Sequence, residues 1–146
     1  MVIIEEVNYL AVLTASVVLF IIGWLWYGPV FGKTWMKLNK IGAKEIADAK
    51  KKSMLGMMVL SFIGTLIMVC VLSNLILNVG VGRTVGVSAV DETLQLAFWV
   101  WLGFFAATTL LGAVLWDNKP WGLFFLNGAY WLVSLEVAAL ILVMWP

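Results

Sequence analysis

The sequence predicts an all-α integral membrane protein built as a bundle of four transmembrane helices, and three observations predict it. Of its 146 residues 64% are apolar and 12% charged, against roughly 45–50% and 25% in a soluble domain, so a soluble fold could not hide the apolar surface. The charges are segregated, leaving runs at residues 9–27, 54–77, 94–116 and 121–145, each long enough at about 1.5 Å per residue to cross a hydrocarbon core of about 30 Å. Those runs contain one Asp, Glu, Lys or Arg, which is Glu136. The chain, 1–146, reads as a single transmembrane domain.

The first span starts after Glu5 and Glu6 and carries no charge before Lys33. A cleaved signal peptide fits it poorly, because acids rather than lysines precede the run and it ends in Trp24, Trp26 and Tyr27 rather than in small residues. Those aromatics suit an interface belt. Gly28 and Pro29 are predicted to stop the helix, since proline disfavours helical geometry in the residue before it. In the loop that follows, 29–53, Lys33, Lys37, Lys40, Lys44, Lys50, Lys51 and Lys52 face only Glu45 and Asp48. Its second half, 43–52, has the composition of a short surface helix.

The second span is uncharged, with small residues at Gly56, Ser61, Gly64 and Thr65 and asparagines at Asn74 and Asn78. The glycine-dotted segment after it, which includes Gly80, Gly82, Arg83 and Gly86, lacks the spacing of a phosphate-binding loop and reads as a flexible turn. Asp91 and Glu92 precede the third span, where acids favour a helix N-terminus. A polar turn, Asp117 to Pro120, leads into the fourth.

Lysine placement predicts orientation. With loop 29–53 cytoplasmic, eight basic residues lie inside and Arg83 alone outside, so the positive-inside rule puts both termini outside a cell (inner) membrane. Lys33, Lys50, Lys51 and Lys52, with Trp24, Trp26, Tyr27, Trp35, Trp116 and Trp121, are the expected headgroup and interface anchors. The recurrence of tryptophan shortly before proline, at Trp26 and Pro29 and again at Trp116 and Pro120, could reflect a parallel duplication or chance.

Glu136 is the leading candidate for function. An ionised carboxylate inside a span costs roughly 2.5–3.5 kcal/mol on insertion scales, so the side chain is expected to face protein or water. Thr14, Ser16 and Ser134 lie at similar depth, and Asn127 is placed to bond across helices. Two readings stand: a hydrated carboxyl that takes part in transport, or a dry contact that pins helix packing. Small residues four apart, Ser61 with Thr65, Gly103 with Ala107 and Thr108 with Gly112, permit close packing within the bundle or between copies.

Much is excluded. The chain has no histidine and one cysteine, Cys70, so a disulfide framework, a thiolate metal cluster and the commonest haem, zinc and copper ligand are missing. No cofactor or metal is expected, nor nucleic acid at a net charge of +1. No histidine-paired nucleophile, HExxH helix, intramembrane aspartate pair or CxxC occurs, so catalysis would have to rest on Glu136, and the balance falls against an enzyme.

The run Gly23-Trp24-Leu25-Trp26-Tyr27-Gly28-Pro29-Val30-Phe31-Gly32-Lys33-Thr34-Trp35-Met36-Lys37 resembles the start of a family of small prokaryotic membrane proteins catalogued as a domain of unknown function. The likeness continues through residues 46–52, the Trp101 segment, and Pro120-Trp121 with residues 124–131. It implies a four-helix membrane fold and brings no activity or catalytic residues. Small multidrug transporters also have four spans and a membrane glutamate, but theirs lies in the first helix. The sequence therefore reads as a non-enzymatic membrane protein acting through helix packing, as a homo-oligomer or with other membrane subunits in the lipid bilayer; the alternative is a small proton-coupled transporter or oligomeric channel using Glu136.

Overall fold

Asn8 starts the first helix. In the computed structural model, which describes residues 7–80 and 87–145, its side-chain oxygen accepts from the backbone N–H groups of Leu10 and Ala11, each at 3.1 Å. It thereby satisfies two of the donors a helix leaves open at its N-terminus. Helix α1 (Tyr9–Leu25) runs on into a π-helical turn, Trp26–Val30. This corrects the expected stop at Gly28 and Pro29. Pro29 has no N–H to donate to Leu25, and the backbone widens instead of breaking: the Phe31 N–H reaches the Trp26 carbonyl at 2.8 Å, five residues back. The first span is therefore Tyr9–Val30, and a short helix, α2 (Gly32–Leu38), follows it directly where a loop is expected.

Helix α3 (Ala43–Lys50) is the surface helix, exposed throughout; Glu45 accepts from the Gly42 N–H at 2.9 Å to close its first turn. Helix α4 (Met54–Val79) is capped by Ser53, whose hydroxyl accepts from the Gly56 N–H at 3.2 Å, and ends on Gly80 in the left-handed region at φ 76°.

The third span is Ser88–Leu115 and begins earlier than residue 94. Asp91 and Glu92 lie inside α5 (Val87–Val100), not ahead of it. Helical geometry makes use of the polar side chains there: Gln95 donates to Asp91 at 2.9 Å, and the Thr93 hydroxyl returns to the Ala89 carbonyl at 2.7 Å. A π-helical stretch, Trp101–Leu110, and α6 (Leu111–Leu115) complete the span. The Phe104 carbonyl accepts the hydroxyls of Thr108 at 2.6 Å and Thr109 at 3.3 Å, a competition that loosens regular helix bonding. A turn through Asn118, at φ 53°, then leads to α7 (Trp121–Met144). Glu5, Glu6, Arg83 and the glycine-dotted segment after Gly80 lie outside the described residues.

Helix α7 touches all three other spans as well as α2, whereas α4 and the third span barely meet. The shared core is concentrated toward the end of the bundle where α1 begins and α7 finishes: Ala11, Ala15 and Leu19 of α1, Val69, Leu72 and Ile76 of α4, Ala97 of α5, and Leu135, Ala138 and Ala139 of α7. Alanines that are fully buried on both α1 and α7 let the backbones approach, the way packing is gained where burial from water supplies no drive between helices. At the other end, which carries the lysines, the bundle opens; residues 54–60 of α4 are all exposed.

Candidate functional site

Helical rotation decides where Glu136 points. Successive residues turn by about 100°, which groups Glu136 with Ala129, Val133 and Leu140, all three exposed on the outward face of α7. Among the described residues Glu136 makes no hydrogen bond or ion pair. The hydroxyls of similar depth do not meet it. Ser134, two residues away and so on the opposite side of the helix, is fully buried and turned toward the Tyr130 hydroxyl rather than toward Glu136. Ser16 is also fully buried and returns its hydroxyl to the Val12 carbonyl at 2.7 Å. Thr14 is half-buried and hydrogen-bonds to none of them.

Asn127 belongs to a different assembly. The Tyr27 hydroxyl donates to its Oδ1 at 2.9 Å, linking the π turn of the first span to α7. Around this bond the rings form a chain: Tyr27 meets Tyr130 edge-on at 4.9 Å and Trp35 at 6.0 Å, Tyr130 meets Trp131 at 5.0 Å, and Trp131 meets Phe105 at 5.0 Å. Trp26 packs tilted against Phe31 at 4.7 Å, its indole N–H buried and without a hydrogen-bond partner among the described residues. Gly23 admits Tyr130, whose hydroxyl lies 2.9 Å from where a Cβ would stand. On the other side of Trp131, the Trp101 N–H donates to the Gly128 carbonyl at 2.9 Å.

Beside these rings is a cavity of about 780 Å³. One wall is the α1 stripe Phe20, Gly23, Trp24 and Tyr27, continued by Tyr130 and Trp131 of α7 and by Phe105. The other is α4, from Met54 to Met68. Among the described residues no charged side chain lines it, and Glu136 is not in its walls. Among the described residues no group of His, Cys, Asp and Glu could hold a metal ion.

The expected interface anchors divide. Trp24, Trp116 and Trp121 are exposed, as are Lys33, Lys50, Lys51 and Lys52, with Lys51 paired to Asp48 at 3.5 Å. Trp26, Tyr27 and Trp35 instead spend their rings on contacts within the protein. The small pairs Gly103 with Ala107 and Ser61 with Thr65 do not pack inside the bundle; nothing lies within 4 Å of a Cβ added at Gly103, and Ala107 and Ser61 are exposed. Sequence reasoning missed Phe20, Phe105, Tyr130 and Trp131. The signal available was the spacing of three and four that puts Phe20, Gly23, Trp24 and Tyr27 on one helix face.

Four helices long and apolar enough to cross a bilayer, with a lysine-bearing surface helix ahead of the second and a polar turn ahead of the fourth, define a multi-pass α-helical membrane protein. A family model described as a protein of unknown function (DUF1761) matches residues 10–143, and the chain belongs to that family. No curated protein and no solved structure matches it.

Proposed function

We propose that the protein is a non-enzymatic membrane subunit that pairs, through the outward face of α7, with a second copy of itself. The observation that carries the reading is the position of Glu136, a carboxyl about two-thirds along a membrane-spanning helix, on its outward face and without a polar partner among the described residues. Left against lipid, such a group costs roughly 2.5–3.5 kcal/mol when charged. In a two-fold contact the same patch meets itself, so each Glu136 gains a polar partner in place of lipid. Ala129, Val133, Glu136 and Leu140 follow the four-three-four spacing of a left-handed helix pair, and Ala129 allows close approach.

The orientation that goes with this reading puts the lysine loop on the cytoplasmic side of the cell membrane, supported by the gathering of lysines at one end of the bundle. A proton-coupled carrier would need Glu136 beside a hydrated cavity; among the described residues it lines neither the cavity described above nor the smaller one that continues it, which gives that reading less support.

The test is cross-linking in native membranes. Val133→Cys, with Cys70→Ala, is expected to give a disulfide dimer under mild oxidation. In vesicles, Glu136→Leu is expected to weaken the dimer about threefold to twentyfold, the range of one interhelical polar contact, read by single-molecule photobleaching. Single-step bleaching of the wild type, without cross-linking at Val133→Cys, would overturn the proposal; dependence on a different membrane protein would assign the face to that subunit.

A further inference from the structure

The cavity beside Tyr27 and Tyr130 is a groove. On α4 its wall is Met54, Met58, Ser61, Thr65 and Met68, residues at steps of four and three and hence one stripe of a helix. From Met54 to Met68 is about 21 Å along the axis, and half a bilayer with its headgroups is about 20–22 Å deep. The groove thus runs the depth of one leaflet. It stands open between α4 and the third span, which barely touch, and beyond Met68 and Phe105 a second apolar cavity of about 450 Å³ continues to Leu75.

The mouth and the walls differ in charge. Among the described residues no charged side chain lines either cavity, while Lys50, Lys51 and Lys52 precede Met54 with Ser53 alone between, all three exposed. Lys51 is engaged with Asp48; Lys50 and Lys52 make no ion pair among the described residues.

We propose that the groove holds an acyl chain of one anionic phospholipid from the leaflet at the lysine end, with the headgroup against Lys50–Lys52. The volume falls within the roughly 300–1,000 Å³ of ligand pockets, and methionine and aromatic walls adapt to a flexible chain. The lateral opening gives a lipid a route in from the bilayer. The positive mouth favours a phosphate diester without a compensating cation over a zwitterionic headgroup, and repels a cationic amphiphile. On α7 the groove is lined by Tyr130 and Trp131, each more than about 100° around the helix from Glu136, so neither proposal depends on the other.

Native mass spectrometry of the protein released from nanodiscs of equal phosphatidylglycerol and phosphatidylcholine tests it. The wild type is expected to retain one phosphatidylglycerol. Gly64 lines the groove, with nothing within 4 Å of an added Cβ, so Gly64→Phe is expected to fill the space and abolish retention. Replacing Lys50, Lys51 and Lys52 by Gln is expected to keep a lipid bound but lower the preference for phosphatidylglycerol, roughly fivefold per lysine. Circular dichroism establishes that each variant is folded, and Ser61→Leu serves if Gly64→Phe is not. No lipid on the wild type, equal retention in a folded filled variant, or no headgroup preference would overturn the proposal. So would a disulfide dimer at Met58→Cys in the Cys70→Ala background, which would mean that a second copy occupies the groove.

Discussion

At the residue scale, two glycines with the same intrinsic helix propensity have opposite surroundings. A Cβ at Gly32 would stand 2.7 Å from the Tyr27 carbonyl oxygen, and a backbone atom held by the π turn cannot step aside. Gly64 faces open groove. Gly32→Ala is therefore expected to cost about 1–3 kcal/mol, the usual toll of overpacking, and Gly64→Ala, inside α4 with room for the methyl, to stabilise by about 0.5–1 kcal/mol; unfolding by SDS in mixed micelles compares them directly. The same scale explains what the sequence concealed about Glu136. Depth in the membrane can be read from residue number, which groups Glu136 with Ser134. Azimuth separates them by about 200°, and which azimuth faces the protein depends on neighbours that a membrane sequence, apolar on every side, does not mark.

At the scale of elements, the number and rough position of the spans were legible because a charge inside lipid is expensive, and charge-free runs stand out in any sequence. Their ends were not, for reasons visible in particular residues. Pro29 forbids one hydrogen bond but leaves a wider turn available, so the first span outlasts its breaker. Asp91 lies within α5, accepting from Gln95 one turn on, so the third span starts before its acids. The π stretch at Trp101–Leu110 has no hydropathy signature at all, yet it carries Trp101 to the Gly128 carbonyl and Phe105 to Trp131. If the Thr108 and Thr109 hydroxyls maintain that widening, replacing both by Val is expected to let the segment tighten and to break the Trp101 bond. The indole N–H resonance of Trp101, assigned by mutation in a 15N-tryptophan sample, should then move upfield; an unmoved resonance would assign the widening to packing alone.

At the scale of the whole molecule, packing is uneven along the membrane normal. Alanine-lined contacts hold the bundle where α1 begins and α7 ends, and rings take over toward the lysines, leaving the groove between α4 and the third span. The candidate site was only partly legible for this reason: its aromatic residues could be recognised one helix at a time, but the opening exists only because α4 and the third span part toward the lysine end. The tight end has a topological consequence. The Asn8 side-chain amide donates to the Trp145 carbonyl at 3.3 Å, which brings the first and last spans together there, so the helices form a closed circuit whose break in the chain is arbitrary. A circular permutant that joins these two points with a short linker and opens instead at Lys40, a turn residue at φ 55°, keeps every interhelical contact and reverses which side of the membrane bears the chain ends. It is expected to insert and fold, with both new ends on the side of the lysines, and protease protection of tags at those ends measures whether helix order or helix adjacency specifies this fold.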